Sequence, residues 1–305
     1  MAFINYENKV CIVTGSSSGI GFETAKSLLE YKAIVYGLDT IPTQLEGINY
    51  IECDLTSKES IDNAFEKIPN HIDSFFGNAA ISGIRSDFTS TYITVFVANK
   101  YICEEYLKKR MTTNGSIAFV NSFLGNYWEK YSSEFKEIMS IDNWDKMVEY
   151  VKSQDNNDLS GIKAYPLAKR ALNYYMANLS LSLGKNGIRV NSVVPGTTDT
   201  KMINDFRNSN GELNDIVCQI GVANRLARPD EIANVLVFIN SNLATYINGI
   251  CLPVDYGNNT QFILGQKADK FDMKINSTLF GFGTDLMLSN SIFKNEAIND
   301  DEEII

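Results

Sequence analysis

Short, continuous apolar runs alternate with helix-period segments along most of this chain, and that rhythm constrains its fold more than any other feature. Lys9–Thr14 (K-V-C-I-V-T) is the first run; Ala33–Leu38, Tyr50–Cys53, Ser74–Gly77, Ser116–Val120, Arg189–Val194 and Ile250–Val254 follow. Between them, Ile20–Tyr31 places Phe22, Ala25, Leu28 and Leu29 at helical spacing. Lys58–Ile68, a stretch around Val95–Arg110 and Leu167–Leu183 read as further helices. Strands apolar throughout are covered on both faces, and strand–helix alternation makes neighbouring strands parallel. The predicted fold class is α/β, a doubly wound parallel sheet of seven strands.

The turn after the first strand, Thr14-Gly15-Ser16-Ser17-Ser18-Gly19-Ile20-Gly21, carries three glycines in the spacing G-x-x-x-G-x-G. Glycines there let the backbone turn tightly and approach a pyrophosphate, which then sits at a helix N-terminus. This assigns Gly15, Ser17, Ser18, Gly19, Ile20 and Gly21 to a dinucleotide site. Asp39 closes the second strand. A carboxylate at that point accepts both ribose hydroxyls and repels a 2′-phosphate. The loop Ser16–Ser18 has no Arg or Lys to attract that phosphate, so NAD is expected in preference to NADP.

Tyr165-Pro166-Leu167-Ala168-Lys169 carries the candidate chemistry. Residues i and i+4 share a helix face, so the Lys169 ammonium is expected near the Tyr165 phenol, lowering its pKa and making it an acid/base near neutral pH. Pro166 suits the first turn of a helix. Composition narrows the rest. The 305 residues carry a net charge of -10 and no basic stripe, which argues against nucleic acid. His71, the only histidine, lies in a polar run, so no His-dependent triad or metal site is expected. Five scattered cysteines without C-x-x-C, and no signal peptide at Met1–Glu7, read as reduced thiols in a cytoplasmic protein. No apolar run approaches a membrane span.

The glycine turn, then Asn78-Ala79-Ala80, then Ser122 after a strand, then Tyr165 and Lys169, stand in an order that resembles the short-chain dehydrogenase/reductase family from about residue 8 to residue 257. The resemblance implies a Rossmann-type single domain over 1–257 and hydride transfer between a nicotinamide and a secondary alcohol or ketone. Tyr165 then takes or gives the hydroxyl proton, Lys169 tunes it and binds the ribose, Ser122 holds the substrate oxygen, and Asn99 anchors a proton-relay water. The resemblance also implies that Asp54 and Leu55 contact adenine and that Asn78, Ala79 and Ala80 line the cofactor. Pro195, Gly196, Thr198 and Thr200, in Pro195-Gly196-Thr197-Thr198-Asp199-Thr200, fix the carboxamide and phosphates. Asn121 replaces a serine common in the family, an exchange expected to matter little.

Two segments fall outside the rhythm. Residues 126–160 separate Ser122 from Tyr165 and place Trp128, Tyr131, Phe135, Ile138 and Met139, then Trp144, Met147, Val148 and Val151, at helical spacing. They read as an inserted helical pair beside the active site. Such an insertion resembles the 3α-hydroxysteroid dehydrogenase/carbonyl reductase branch and implies an apolar alcohol or ketone and a homodimer with the insertion near the interface or over the pocket. The second segment is the extension 258–305. Its stretch Thr278–Leu288, with Phe280 and Phe282, is expected to dock on the enzyme or a partner subunit, and Asp300–Ile305 to remain mobile. Two alternatives stay open: a hydroxy fatty acid dehydrogenase at a membrane surface, and a non-catalytic NAD-binding regulator.

Overall fold

A computed structural model describes residues 3–155, 161–207 and 220–267. The strands are β1 (Val10–Thr14), β2 (Ile34–Asp39), β3 (Asn49–Glu52), β4 (Ile72–Gly77), β5 (Met111–Val120), β6 (Arg189–Pro195) and β7 (Cys251–Val254). They form one seven-stranded sheet in the order β3-β2-β1-β4-β5-β6-β7. Every pairing is parallel, with Cys11 opposite Val35 on one side and Ser74 on the other. The predicted doubly wound α/β class is the observed one.

Side-chain alternation sorts each strand onto the two faces. Ile12, Phe75, Ile117 and Phe119 join one core with Ile61, Ala64 and Phe65 of α2 (Lys58–Glu66). Cys11, Val13, Phe76, Ala118 and Val120 join the other, with Ala25 and Leu28 of α1 (Gly19–Glu30) and Ile232 and Leu236 of α8 (Pro229–Asn240). The helical run 88–110, α3, opens at Phe88–Tyr92 and contains π-turns at Ile93–Val97 and Cys103–Leu107. It packs on the first face beside α6 (Gly161–Gly184). No helix of the described residues is long and apolar enough to cross a membrane.

Helix α6 corrects one expectation. Pro166 lies past the first turn, because the helix begins at Gly161. One missing backbone donor so near the helix start is tolerated where a central proline would break the ladder. The early start has its own requirement. A Cβ on Gly161 would lie 2.3 Å from the Ser86 carbonyl oxygen and 2.6 Å from that of Gly83. Only glycine lets the helix N-terminus meet the loop after β4 so closely.

Residues 126–155 contain a 3-10 turn at Ser132–Phe135, α4 (Lys136–Met139) and α5 (Trp144–Gln154). The Asn143 side chain caps α5 by accepting from the Lys146 amide at 3.1 Å. Phe135, Ile138, Trp144, Met147 and Val151 are buried in the same core as α3 and α6. Trp144 packs edge-on against Tyr101 of α3 at 5.2 Å. The neighbouring Lys100 is itself buried, donates to the Ile141 carbonyl, and is disfavoured as an ammonium by burial. Beyond β7 the chain forms α9 (Asn258–Ile263), and Lys267 donates to the Asn258 side chain at 2.7 Å. Thr278–Leu288 and Asp300–Ile305, expected to dock and to remain mobile, lie outside the described residues.

Candidate active site

Strand order reverses between β1 and β4, which opens a crevice at their carboxyl ends. Thr14 Oγ1 ties the two ends together, accepting from the Asn78 and Ala79 amides at 3.1 Å each. The turn from β1 into α1 passes this point with Gly15 at φ 68° and Gly19 at φ 57°. A Cβ on Gly15 would fall 2.9 Å from Ala79 Cα, and one on Gly21 2.1 Å from the Gly15 carbonyl oxygen. The result is a side-chain-free cradle opening α1, a 12-residue helix. A pyrophosphate is the group such a cradle fits.

The cleft above the cradle has a volume of about 400 Å3. Of the residues expected at the site, Gly15, Ser18, Gly19, Ile20, Gly21, Asp39, Asp54, Leu55, Asn78, Ala79, Ala80, Ser122, Tyr165, Lys169, Pro195, Gly196, Thr198 and Thr200 all line it. Two do not. Ser17 is turned aside: its amide donates to Asp39 Oδ2 at 3.0 Å and its hydroxyl to the Ile41 carbonyl. It therefore supports Asp39 instead of facing the cleft. Asn99 lies behind the wall, 2% exposed. Its amide donates to the Val95 carbonyl at 2.9 Å, within the turn where α3 passes from π to α geometry. Its Oδ1 is buried and has no hydrogen-bond partner, close to Gly77.

Ser122 follows β5 directly and caps the turn Phe123–Gly125. Tyr165 and Lys169 project from α6 on one face, and both are buried. The pKa relation expected between them is reversed. Burial pushes the Tyr165 phenol up to about 12, with a hydrogen bond to Ser122 pulling against that rise. Burial brings Lys169 down to about 7. The ammonium nitrogen donates to the Val120 carbonyl at 2.7 Å and lies 5.4 Å from the centre of the Tyr165 ring. Burial is the largest cause of both shifts, and it acts against the charged form of each group.

Sequence reasoning missed part of the lining. Ile81, Thr94, Phe123, Met202 and Ile203 complete the wall at the Ser122–Tyr165 end. Helix α7 (Lys201–Arg207) brings Met202 and Ile203 there. Ile203 packs on Ile84, and Asp205 reaches across to Arg85 at 2.9 Å and to the Ser82 hydroxyl at 3.2 Å. The apolar pair Met202-Ile203, one residue beyond Thr200, was the available signal. No described residue of 126–155 lines the cleft. The insertion docks on the outer sides of α3 and α6, so it does not form a wall of the pocket.

A glycine cradle at a switch point, joined to a buried Ser-Tyr-Lys set, defines a Rossmann-type oxidoreductase. The family descriptions "short chain dehydrogenase" and "Enoyl-(Acyl carrier protein) reductase" match residues 9–133 and 146–259. A coniferyl-alcohol dehydrogenase of Pseudomonas sp. is 30% identical, covering 82% of this chain and 96% of its own. A 3alpha-hydroxysteroid dehydrogenase of Mediterraneibacter gnavus is 27% identical, covering 83% and 98%. Among solved structures, a short chain dehydrogenase family protein of Francisella tularensis is 26% identical with a TM-score of 0.63, covering 83% of this chain and 100% of its own. The NADH complex of a 3-alpha-hydroxysteroid dehydrogenase from Pseudomonas sp. has a TM-score of 0.70 at 18% identity, covering 86% and 100%. The chain belongs to the short-chain dehydrogenase/reductase family of nicotinamide-dependent oxidoreductases.

Lys169 carries a stability signature of known sign. Its value in the fold, about 7, lies below its ordinary 10.5. Between the two, the unfolded chain holds the proton and the folded chain does not. The contribution is therefore complete above about pH 10.5 and lost as the pH falls toward 7. Lys169→Met removes the titrating group. Urea unfolding should show the variant gaining on wild type most near pH 7, with a ceiling of about 5 kcal/mol, and the gap shrinking toward pH 10. A gap that stays constant over this range contradicts the buried-ammonium assignment.

Proposed function

We propose that this protein is an NAD-dependent oxidoreductase that interconverts a secondary alcohol and its ketone on an apolar substrate. The observation that carries this reading is that Ser122 and Tyr165 line the cleft together, with Lys169 beside the Tyr165 ring and a wall of Ile81, Phe123, Met202 and Ile203. The names of the coniferyl-alcohol and 3alpha-hydroxysteroid dehydrogenase relatives support the same reaction class. The resemblance at 126–160 supports a hydroxysteroid or another bulky apolar carbonyl compound as substrate.

The bound nicotinamide supplies the carbon that accepts or gives the hydride. Gly15, Gly19 and Gly21 hold its pyrophosphate, and Lys169 its ribose. The Ser122 hydroxyl donates to the substrate oxygen and orients it. Tyr165, a neutral phenol in this site, takes the hydroxyl proton in oxidation as it releases its own toward Lys169, and the exchange runs backwards in reduction. Lys169, with a value near neutrality, passes the proton on. Asn99, whose buried Oδ1 has no protein hydrogen-bond partner, would anchor the water that carries the proton onward. Tyr165→Phe keeps the ring and loses only the proton-transfer group. It should lower kcat by on the order of 100-fold or more while NAD affinity, read by fluorescence titration, changes little. Near-normal turnover would remove Tyr165 from this role.

The NAD preference rests on Asp39. Its carboxylate lines the cleft and is fixed by the Ser17 amide at 3.0 Å and the Ile41 amide at 3.2 Å. The cations lining the cleft, Lys169 and Lys201, come from the opposite side, on α6 and α7. A 2′-phosphate would therefore meet a fixed negative charge. Asp39→Ala should raise the NADP-to-NAD ratio of kcat/KM by about tenfold or more, since removal of a repulsive contact changes discrimination directly. A wild-type enzyme that already favours NADP would overturn this assignment.

We read the assembly as a homodimer. The insertion covers the outer sides of α3 and α6. At the β7 edge, Leu181 and Ile250 remain 73% and 39% exposed, brought together by Ser180 meeting Asn248. A strand edge with no neighbour among the described residues, beside apolar side chains, suits a second copy. Light scattering at micromolar concentration should give twice the chain mass; a monomer contradicts the reading.

A further inference from the structure

Two buried amides lie directly behind the reacting set. Asn121 is 3% exposed and Asn173 1%. Asn121 precedes Ser122, and its backbone amide continues the sheet by donating to the Val193 carbonyl at 2.7 Å. Its side chain points into α6. There Nδ2 donates to Asn173 Oδ1 at 2.6 Å and to the Lys169 backbone carbonyl at 3.1 Å. Asn121 Oδ1 accepts from the Ser122 amide at 2.8 Å. Asn173 Nδ2 donates to the Gly125 carbonyl at 3.1 Å. The network fixes which way the Asn121 amide points. A flipped amide would set oxygen against the Lys169 carbonyl and NH2 against the Ser122 N–H.

The cluster reaches the backbones of the residues whose separation matters. Val120 and Asn121 together hold Lys169 at both ends, its ammonium and its main-chain carbonyl. Asn121 also holds Ser122, and Asn173 holds the far end of the turn that Ser122 begins. A Cβ on Gly125 would lie 2.4 Å from Asn121 Oδ1, so the turn must lack a side chain for the amides to meet. The amides also satisfy the Ser122 N–H and the Gly125 carbonyl, which an apolar pair would leave buried without a partner. A fully satisfied polar cluster fixes one geometry.

We infer that Asn121 and Asn173 are positioning residues, a clasp that sets Ser122 against Tyr165 and Lys169. Neither side chain contributes a reacting atom. The inference rests on the assignment of Ser122, Tyr165 and Lys169 as the reacting set. Its consequence is that loosening the clasp misplaces the Ser122 hydroxyl and admits water to Lys169. A misplacement near 1 Å costs on the order of 100-fold in rate.

The test uses Asn173→Ala and Gly125→Ala in the full chain, with wild type alongside. Both variants should keep KM and NAD affinity within about threefold and lower kcat by roughly 10- to 100-fold. The Asn121→Ala/Asn173→Ala double variant should cost little more than the worse single one, because the two amides act as a unit. A second readout needs no turnover. As Lys169 regains water, the pH dependence of urea unfolding between pH 7 and 10 should flatten in each variant relative to wild type. A variant with wild-type kcat and an unchanged pH slope, altered only in melting temperature, overturns the clasp. If Asn173→Ala does not fold, Gly125→Ala decides, since it displaces the Asn121 amide without deleting it. If wild type oxidises no alcohol yet the slope flattens, the proposed reaction fails and the clasp stands.

Discussion

The site depends on one topological constraint: β1 and β4 are neighbours whose following helices leave in opposite directions. Parallel strands put all their carboxyl ends on one edge of the sheet, and only at such a reversal do two adjacent ends separate to leave a crevice. Thr14 Oγ1 keeps that crevice in register by holding Asn78 and Ala79. The glycine turn, Asp39 at the end of β2, Ser122 after β5 and Pro195 closing β6 then arrive at the same edge without further instruction. Helix α6 completes the arrangement by laying Tyr165 and Lys169 across the carboxyl end of β5.

Around that edge the protein accepts an electrostatic cost. An isolated buried lysine is among the least favourable groups a fold can hold, and Lys169 answers the cost by dropping toward neutrality. The same burial raises Tyr165. The two effects drive their proton affinities apart, from the ordinary 10.0 and 10.5 to about 12 and about 7. Near neutral pH the phenol therefore keeps its proton, and the amine is the group able to take one up. Stability is given up locally at the cleft, and the two large cores of α1/α8 and α2/α3/α6 carry the fold.

Local pattern made much of this legible. The mostly apolar run at the first strand reads as a buried parallel strand, and the glycine spacing and the i, i+4 Tyr–Lys pair are short-range signals. Nearly every residue assigned to the cleft lines it. What could not be read depends on distant contacts. The pKa order of Tyr165 and Lys169 follows from burial, which no local motif encodes. Helix α6 starts before Pro166 because Gly161 meets Gly83 and Ser86, far away in sequence. Asn121 looked like a neutral exchange because its partner Asn173 is 52 residues on. That Ser17 turns toward Asp39 could not be read, because that hydrogen bond spans 22 residues.

The insertion shows how a true periodicity can still mislead about position. Phe135, Ile138, Trp144, Met147 and Val151 do form an apolar face, and its helical spacing was correctly informative about local structure. Spacing says nothing about which surface receives that face. Here the receiver is the aromatic side of α3 and α6, where Tyr101 meets Trp144 and Tyr174 meets Phe135 and Trp128. Lys100 is drawn under the insertion by the Ile141 carbonyl, so covering this face also buries a charge. The reacting end is closed from elsewhere, by Ile84 and Ile203 with Asp205 bridging to Arg85 and Ser82. Substrate fit and the occupancy of the helical face are thus governed by different segments. A change in 126–155 reaches the cleft through α3, α6 or the Ser122 turn that it continues, whereas a change in α7 reaches it directly.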